Sequence, residues 1–132
     1  MTLERVNPPE LPAPVGFSHA VVGQGRLVFL AGQTALGADG RIVAPGDVVA
    51  QFEQALSNLL TALRAAGGTP DDLASITIYI VDVPAYRERS REIGAVWRRL
   101  AGRDYPAAAG IGVARLWDDD ALVEIQGYAV LP

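Results

Sequence analysis

Apolar residues recur at spacings of three and four through the middle of the chain, where Val48, Phe52, Ala55, Leu56, Leu59, Leu60 and Leu63 share one side of a helical period. The pattern predicts an amphipathic helix over residues 47–66, with Gln51, Glu53, Gln54, Asn58 and Arg64 falling mainly elsewhere. Both ends are written in the sequence: Gly46 and Asp47 offer an N-terminal signal, and Gly67 with Gly68 a left-handed stop. Burial at about 1.5 to 3 kcal/mol per large apolar side chain is ample to fix such a helix on a sheet.

Beyond it the period shortens to two. Over residues 75–81, Ile76, Ile78 and Ile80 alternate with Ser75, Thr77 and Tyr79, which predicts a strand with one apolar face turned to the helix. Thr69, Pro70, Asp71 and Asp72 predict a single helical turn before it. A second helix is expected over residues 84–101, capped by Asp82, with Tyr86, Ile93, Val96, Trp97 and Leu100 on its buried side. Gly94 in its middle costs roughly 1 kcal/mol against alanine, which points to close packing there. Two last strands, residues 107–116 and 122–130, are joined through Asp118, Asp119 and Asp120.

Ahead of the first helix, apolar runs at residues 17–22 and 27–31 flank Gly23, Gln24 and Gly25 and read as a tight β-hairpin. The first fifteen residues, with Pro8, Pro9, Pro12 and Pro14, read as an extended arm, because proline lacks the backbone donor and fixes φ. The predicted order is ββαβαββ, an α+β class in one domain spanning residues 1–132. Right-handed crossovers place both helices on one face of a mixed sheet. The other face then lies bare, and because the final strands are apolar on both parities (Ile111, Val113, Leu122, Val123, Ile125), a homo-oligomer is expected to cover it.

Composition closes off much chemistry. The chain has no cysteine, so disulfides, thiolate nucleophiles and Cys-based metal sites are excluded. All 11 Lys+Arg positions are arginine, which removes a Schiff-base lysine and a P-loop. His19 is the one histidine; it leaves no His-rich metal site and reads as structural. A net charge of -4 argues against a phosphate-binding surface, so no nucleic-acid partner is expected. Prolines and acids interrupt the start of the chain, which gives neither a signal peptide nor a membrane span and makes a cytoplasmic location the default.

Four blocks carry a resemblance: Val15-Gly16-Phe17-Ser18-His19-Ala20, Val28-Phe29-Leu30-Ala31-Gly32-Gln33, Gln51 to Asn58 leading into Leu63 to Gly68, and Pro106 to Val113 with Val123-Glu124-Ile125. In this order the chain resembles the reactive-intermediate-deaminase (RidA/YjgF) family. The resemblance implies a chorismate-mutase-like homotrimer with small-molecule clefts between subunits, no cofactor, and hydrolysis of an enamine or imine such as 2-aminoacrylate to a keto acid and ammonia. It further implies that Glu124 positions the hydrolytic water, that Gly32 supplies a backbone donor, and that Phe17 and Ala31 stand where a tyrosine and a serine are usual.

The arginine that forks the substrate carboxylate in active members is replaced by Ala108, followed by Ala109. A methyl group donates no hydrogen bond, and loss of a bidentate charge-assisted pair removes on the order of 2 to 5 kcal/mol of carboxylate recognition. Arg115 projects from the opposite face of an unbroken strand, while Arg103 and Arg26 lie in turns. The expectation is a more apolar cleft, weak on 2-aminoacrylate, or else a non-enzymatic ligand-sensing or protein-binding trimer with a vestigial cleft. The Arg87, Arg89, Arg91, Arg98 and Arg99 run reads as a charged outer helix face, and Asp118 to Asp120 as a solvated turn, not a metal site.

Overall fold

The computed structural model describes residues 3–132. The first two residues of the expected arm lie outside them, and the arm's start is not merely extended: Leu3–Val6 is a strand, β1. It pairs antiparallel with β2, Ala20–Gly23. Then follow β3 (Arg26–Gln33), α1 (Val48–Ala65), β4 (Leu73–Ile80), α2 (Val83–Glu88), α3 (Ser90–Ala101), β5 (Ala107–Gly112) and β6 (Val123–Leu131). The main sheet is mixed, in the order β3-β6-β4-β5 with only β4 and β5 parallel, and the expected α+β class holds.

The expected hairpin between the second and third strands is replaced by another pairing, since β2 bonds to β1 and β3 bonds to β6. Close approach, not a tight turn, uses the glycines there. A Cβ on Gly23 would lie 2.6 Å from Leu3 Cδ2, and one on Gly25, at φ +150°, would collide with the Leu131 carbonyl. The chain is thereby steered alongside the end of β6, and Leu3 and Val130 are both buried.

Helix α1 is capped as expected: the Asp47 carboxylate accepts from Ala50 N at 3.1 Å, and Gly68 N donates to the Leu63 carbonyl at 3.0 Å beyond the last turn. Its apolar face meets Leu30, Ile76, Val123, Ile125 and Ala129 in one core. Gln51, read as polar-face, is fully buried. Its amide nitrogen donates to the carbonyls of Asp120 at 2.9 Å and Ala44 at 3.3 Å, and its oxygen accepts from Leu122 N at 2.8 Å. One side chain thus ties the turn before β6 to α1.

The second helix is broken at Arg89 (φ −104°, ψ 17°) into α2 and α3. Beside the break the Ser90 hydroxyl donates to the Arg87 carbonyl at 2.6 Å, a local bond that competes with helix continuation. Segment α3 packs on α1 through Ile93, Val96 and Trp97. Strand β5 stops at Gly112, four residues short of its expected end, and Val113 N caps the pair by donating to Ile80 O at 2.9 Å. On the sheet face away from the helices, Leu27, Phe29, Ile111 and Tyr128 are exposed; Phe29 and Tyr128 meet edge to face at 5.6 Å, the bare apolar face that the crossovers require.

Candidate functional site

A cavity of about 540 Å³ opens between α3 and the β4–β5 edge of the sheet. Its inner wall is Phe52, Ile76, Ile93 and Trp97, all buried. The space exists because its neighbours are small: Ala108 and Gly110 on β5, and Gly94 on α3. Close packing was the expectation at Gly94, but a Cβ there would meet only the Arg98 guanidinium, at 3.6 Å.

Phe17 reaches this cavity because its loop is pinned to the start of β5. Ser18 N donates to Pro106 O at 2.9 Å, and the Ser18 hydroxyl to Tyr105 O at 2.7 Å. His19 stacks edge-on against Phe17 at 5.0 Å, its Nε2 2.8 Å from the Pro12 carbonyl, while its backbone N donates to Asn7 Oδ1. The histidine serves the arm. Trp97 is held by donation from Nε1 to Asp104 O at 3.2 Å and by stacking on Tyr105 at 5.5 Å. Burial pushes the phenol of Tyr86, which lines the same cavity, up to about 12, so it stays protonated and able to donate.

The residues singled out from the sequence fall into two groups. Phe17, Ala108 and Ala109 line the cavity. Ala31, Gly32 and Glu124 lie together on the other face, at the bulge between Leu30 and Gln33 where β3 loses register with β6. Gly32 leaves room there, because a Cβ would push the Glu124 carboxylate aside. Ala108 pairs with Ile76 and Glu124 with Tyr79, residues of opposite parity on β4. Two strand spacings and three residues therefore separate them by roughly 14 Å, on opposite faces. One chain does not bring Glu124 to the Ala108 cavity.

Arg115 and Arg103 are exposed in loops and Arg26 begins β3; none lines the cavity. Arg91 and Arg98 do line it. Sequence reasoning assigned them to the outer face, a reading that holds for Arg99, which pairs with Glu53 at 2.8 Å, and for Arg89, which pairs with Glu92 at 2.6 Å. The signal was the spacing of Arg91, Gly94 and Arg98, which places all three on one side of a helix. Among the described residues no group of three His, Cys, Asp or Glu side chains is placed to hold a metal, and no helix is long and apolar enough to cross a membrane.

The family model described as Endoribonuclease L-PSP matches residues 9–131. The chain belongs to the RidA/YjgF family. Family membership is supported on both sequence and structure. A RutC family protein of Synechocystis is 32% identical over 133 residues, covering 100% of this chain and 99% of its relative. A goat (Capra hircus) relative, named 2-iminobutanoate/2-iminopropanoate deaminase, is 31% identical over 121 residues, covering 90% of this chain and 83% of that one. Among solved structures, the Rid family protein YyfB of Yersinia pestis, of unknown function, superimposes with a TM-score of 0.89 at 37% identity, over 99% of this chain and 100% of that one.

Proposed function

We propose that the protein is a cytoplasmic homotrimer that binds a small, largely apolar metabolite in clefts between subunits and hydrolyses its enamine or imine to a carbonyl compound and ammonia. The observation that carries this reading is the cavity itself: family position Ala108, together with Phe17 and Ala109, lines an apolar space of ligand size. The imine deaminase among the relatives supports the reaction class. The exposed Leu27, Phe29, Ile111 and Tyr128 face supports the assembly.

In this reading a neighbouring subunit closes the cleft and brings its own Glu124 to the ligand, since within one chain the two are apart. Glu124 accepts a proton from water as it adds to the imine carbon, and Gly32, without a side chain, leaves the carboxylate room to do so. With alanine at 108, 2-aminoacrylate is a weak substrate. Ribonuclease chemistry lacks support, because the lone histidine is engaged with Pro12 and no second one exists.

The test is ammonia release from 2-aminoacrylate and from imines of apolar amino acids, beside Ala108→Arg and Glu124→Gln. Turnover of the apolar imines that Glu124→Gln abolishes, with 2-aminoacrylate gained by Ala108→Arg, supports the proposal. Silence on every imine leaves the non-enzymatic trimer, a reading favoured by alanine at the position of the family's arginine, 108.

A further inference from the structure

Two arginines border the cavity and no acid does: of its lining residues only Arg91 and Arg98 are charged. Both are exposed at the rim, whereas the far wall of Phe52, Ile76, Ile93 and Trp97 is buried. Among the described residues neither guanidinium has an ion-pair or hydrogen-bond partner, unlike Arg89 at the N-cap of α3 and Arg99 within it. Arg98 folds back one turn so that its Nη1 lies 3.6 Å from where a Gly94 Cβ would stand. The guanidinium therefore lies alongside residue 94 on the side of α3 that lines the cavity. Ser90 and Tyr86 add hydroxyls to the same lining.

We infer that Arg98, with Arg91 beside it, binds the carboxylate of the ligand, and that the ligand is an acid with a bulky aromatic or branched side chain. This rests on the deaminase reading for the reaction, though not for the binding. The carboxylate anchor has moved from the strand to the helix, across the cavity from Ala108. An acid held at the rim must reach the buried aromatic wall to gain apolar contact, and the smallest acids leave most of the 540 Å³ empty. The substrate class is therefore an α-imino acid with an aromatic or branched side chain. Water adds its oxygen to the imine carbon, the carbon-nitrogen bond breaks, both water protons end on nitrogen as ammonia leaves, and the 2-keto acid remains with no change of oxidation state.

The experiment is calorimetric titration of the intact protein with 3-phenylpropanoate, its neutral amide, and propanoate, for wild type, Arg98→Gln, the Arg91→Gln/Arg98→Gln pair, and Arg64→Gln as an exposed control outside the cavity. Wild type and the control should bind 3-phenylpropanoate about tenfold to a hundredfold tighter than the amide, and also tighter than propanoate. Arg98→Gln should collapse the acid-to-amide ratio with an unchanged melting curve. Equal binding of acid and amide, no saturable binding of either, or a ratio that survives in the double variant overturns the inference. Ammonia release from the imine of phenylalanine, generated by an amino-acid oxidase, separates the two readings. Arginine-dependent acid binding without turnover leaves the anchor standing and removes the deaminase; turnover that the double variant does not alter does the reverse.

Discussion

The carboxylate of Glu124 rests against the bare Cα of Gly32, at the point where β3 bulges away from β6. The contact is with the far end of a flexible side chain, so a methyl group at position 32 displaces the carboxylate without breaking the sheet. Gly32→Ala is expected to leave urea stability within about 0.5 kcal/mol of wild type. It should lower the proposed imine turnover as far as Glu124→Gln does; full activity in Gly32→Ala shows that the carboxylate position does not matter.

Gln51 makes three hydrogen bonds from a fully buried site. Gln51→Leu leaves Leu122 N–H and two carbonyls without this partner. A loss of about 2 to 4 kcal/mol follows, read as a lowered urea midpoint, and most of it should appear as faster unfolding of the turn before β6 by hydrogen exchange.

Gly94 lies inside α3 with open space beyond it. Gly94→Ala places a methyl at ordinary contact distance from Arg98 and should raise stability by roughly 0.5 to 1 kcal/mol. Gly94→Leu should instead fill the cavity and abolish binding of 3-phenylpropanoate. A stabilised Gly94→Leu that still binds the acid would place the ligand elsewhere.

Burial disfavours the phenolate of Tyr86 and pushes it from its ordinary 10.0 up to about 12 in the folded chain. The unfolded chain therefore releases this proton first, and the stability it reflects is complete below pH 10 and declines as pH rises toward 12. The loss attributable to Tyr86 is on the order of 2 to 3 kcal/mol. In Tyr86→Phe this slope should be absent; parallel stability curves for the two proteins over that window refute the assignment.

Phe29 and Tyr128 form the centre of the bare sheet face. Phe29→Arg places a charge there and should turn the proposed trimer into monomers in sedimentation velocity, with the monomer retaining its far-ultraviolet spectrum. A trimer that survives the substitution assembles through another surface.

Local rules written within a few residues were legible from the sequence. The Val48 to Leu63 stripe, the Asp47 cap and the Gly67-Gly68 stop define α1 without reference to the rest of the chain, and alternation about Ile76, Ile78 and Ile80 defines β4. The chemistry that lacks a residue, from thiolate to Schiff-base lysine, was also closed by composition. Tertiary structure decided which strand pairs with which: β2 takes β1 because Gly23 admits Leu3, and β3 takes β6 because Gly25 passes close to Leu131. It decided that Gln51 is buried, since the turn it serves lies 69 to 71 residues away. The same holds for the site. Periodicity places a side chain on one face of its own element, but only packing α3 off the β4–β5 edge puts Arg98 beside a cavity while leaving Glu124 on the far side of the sheet.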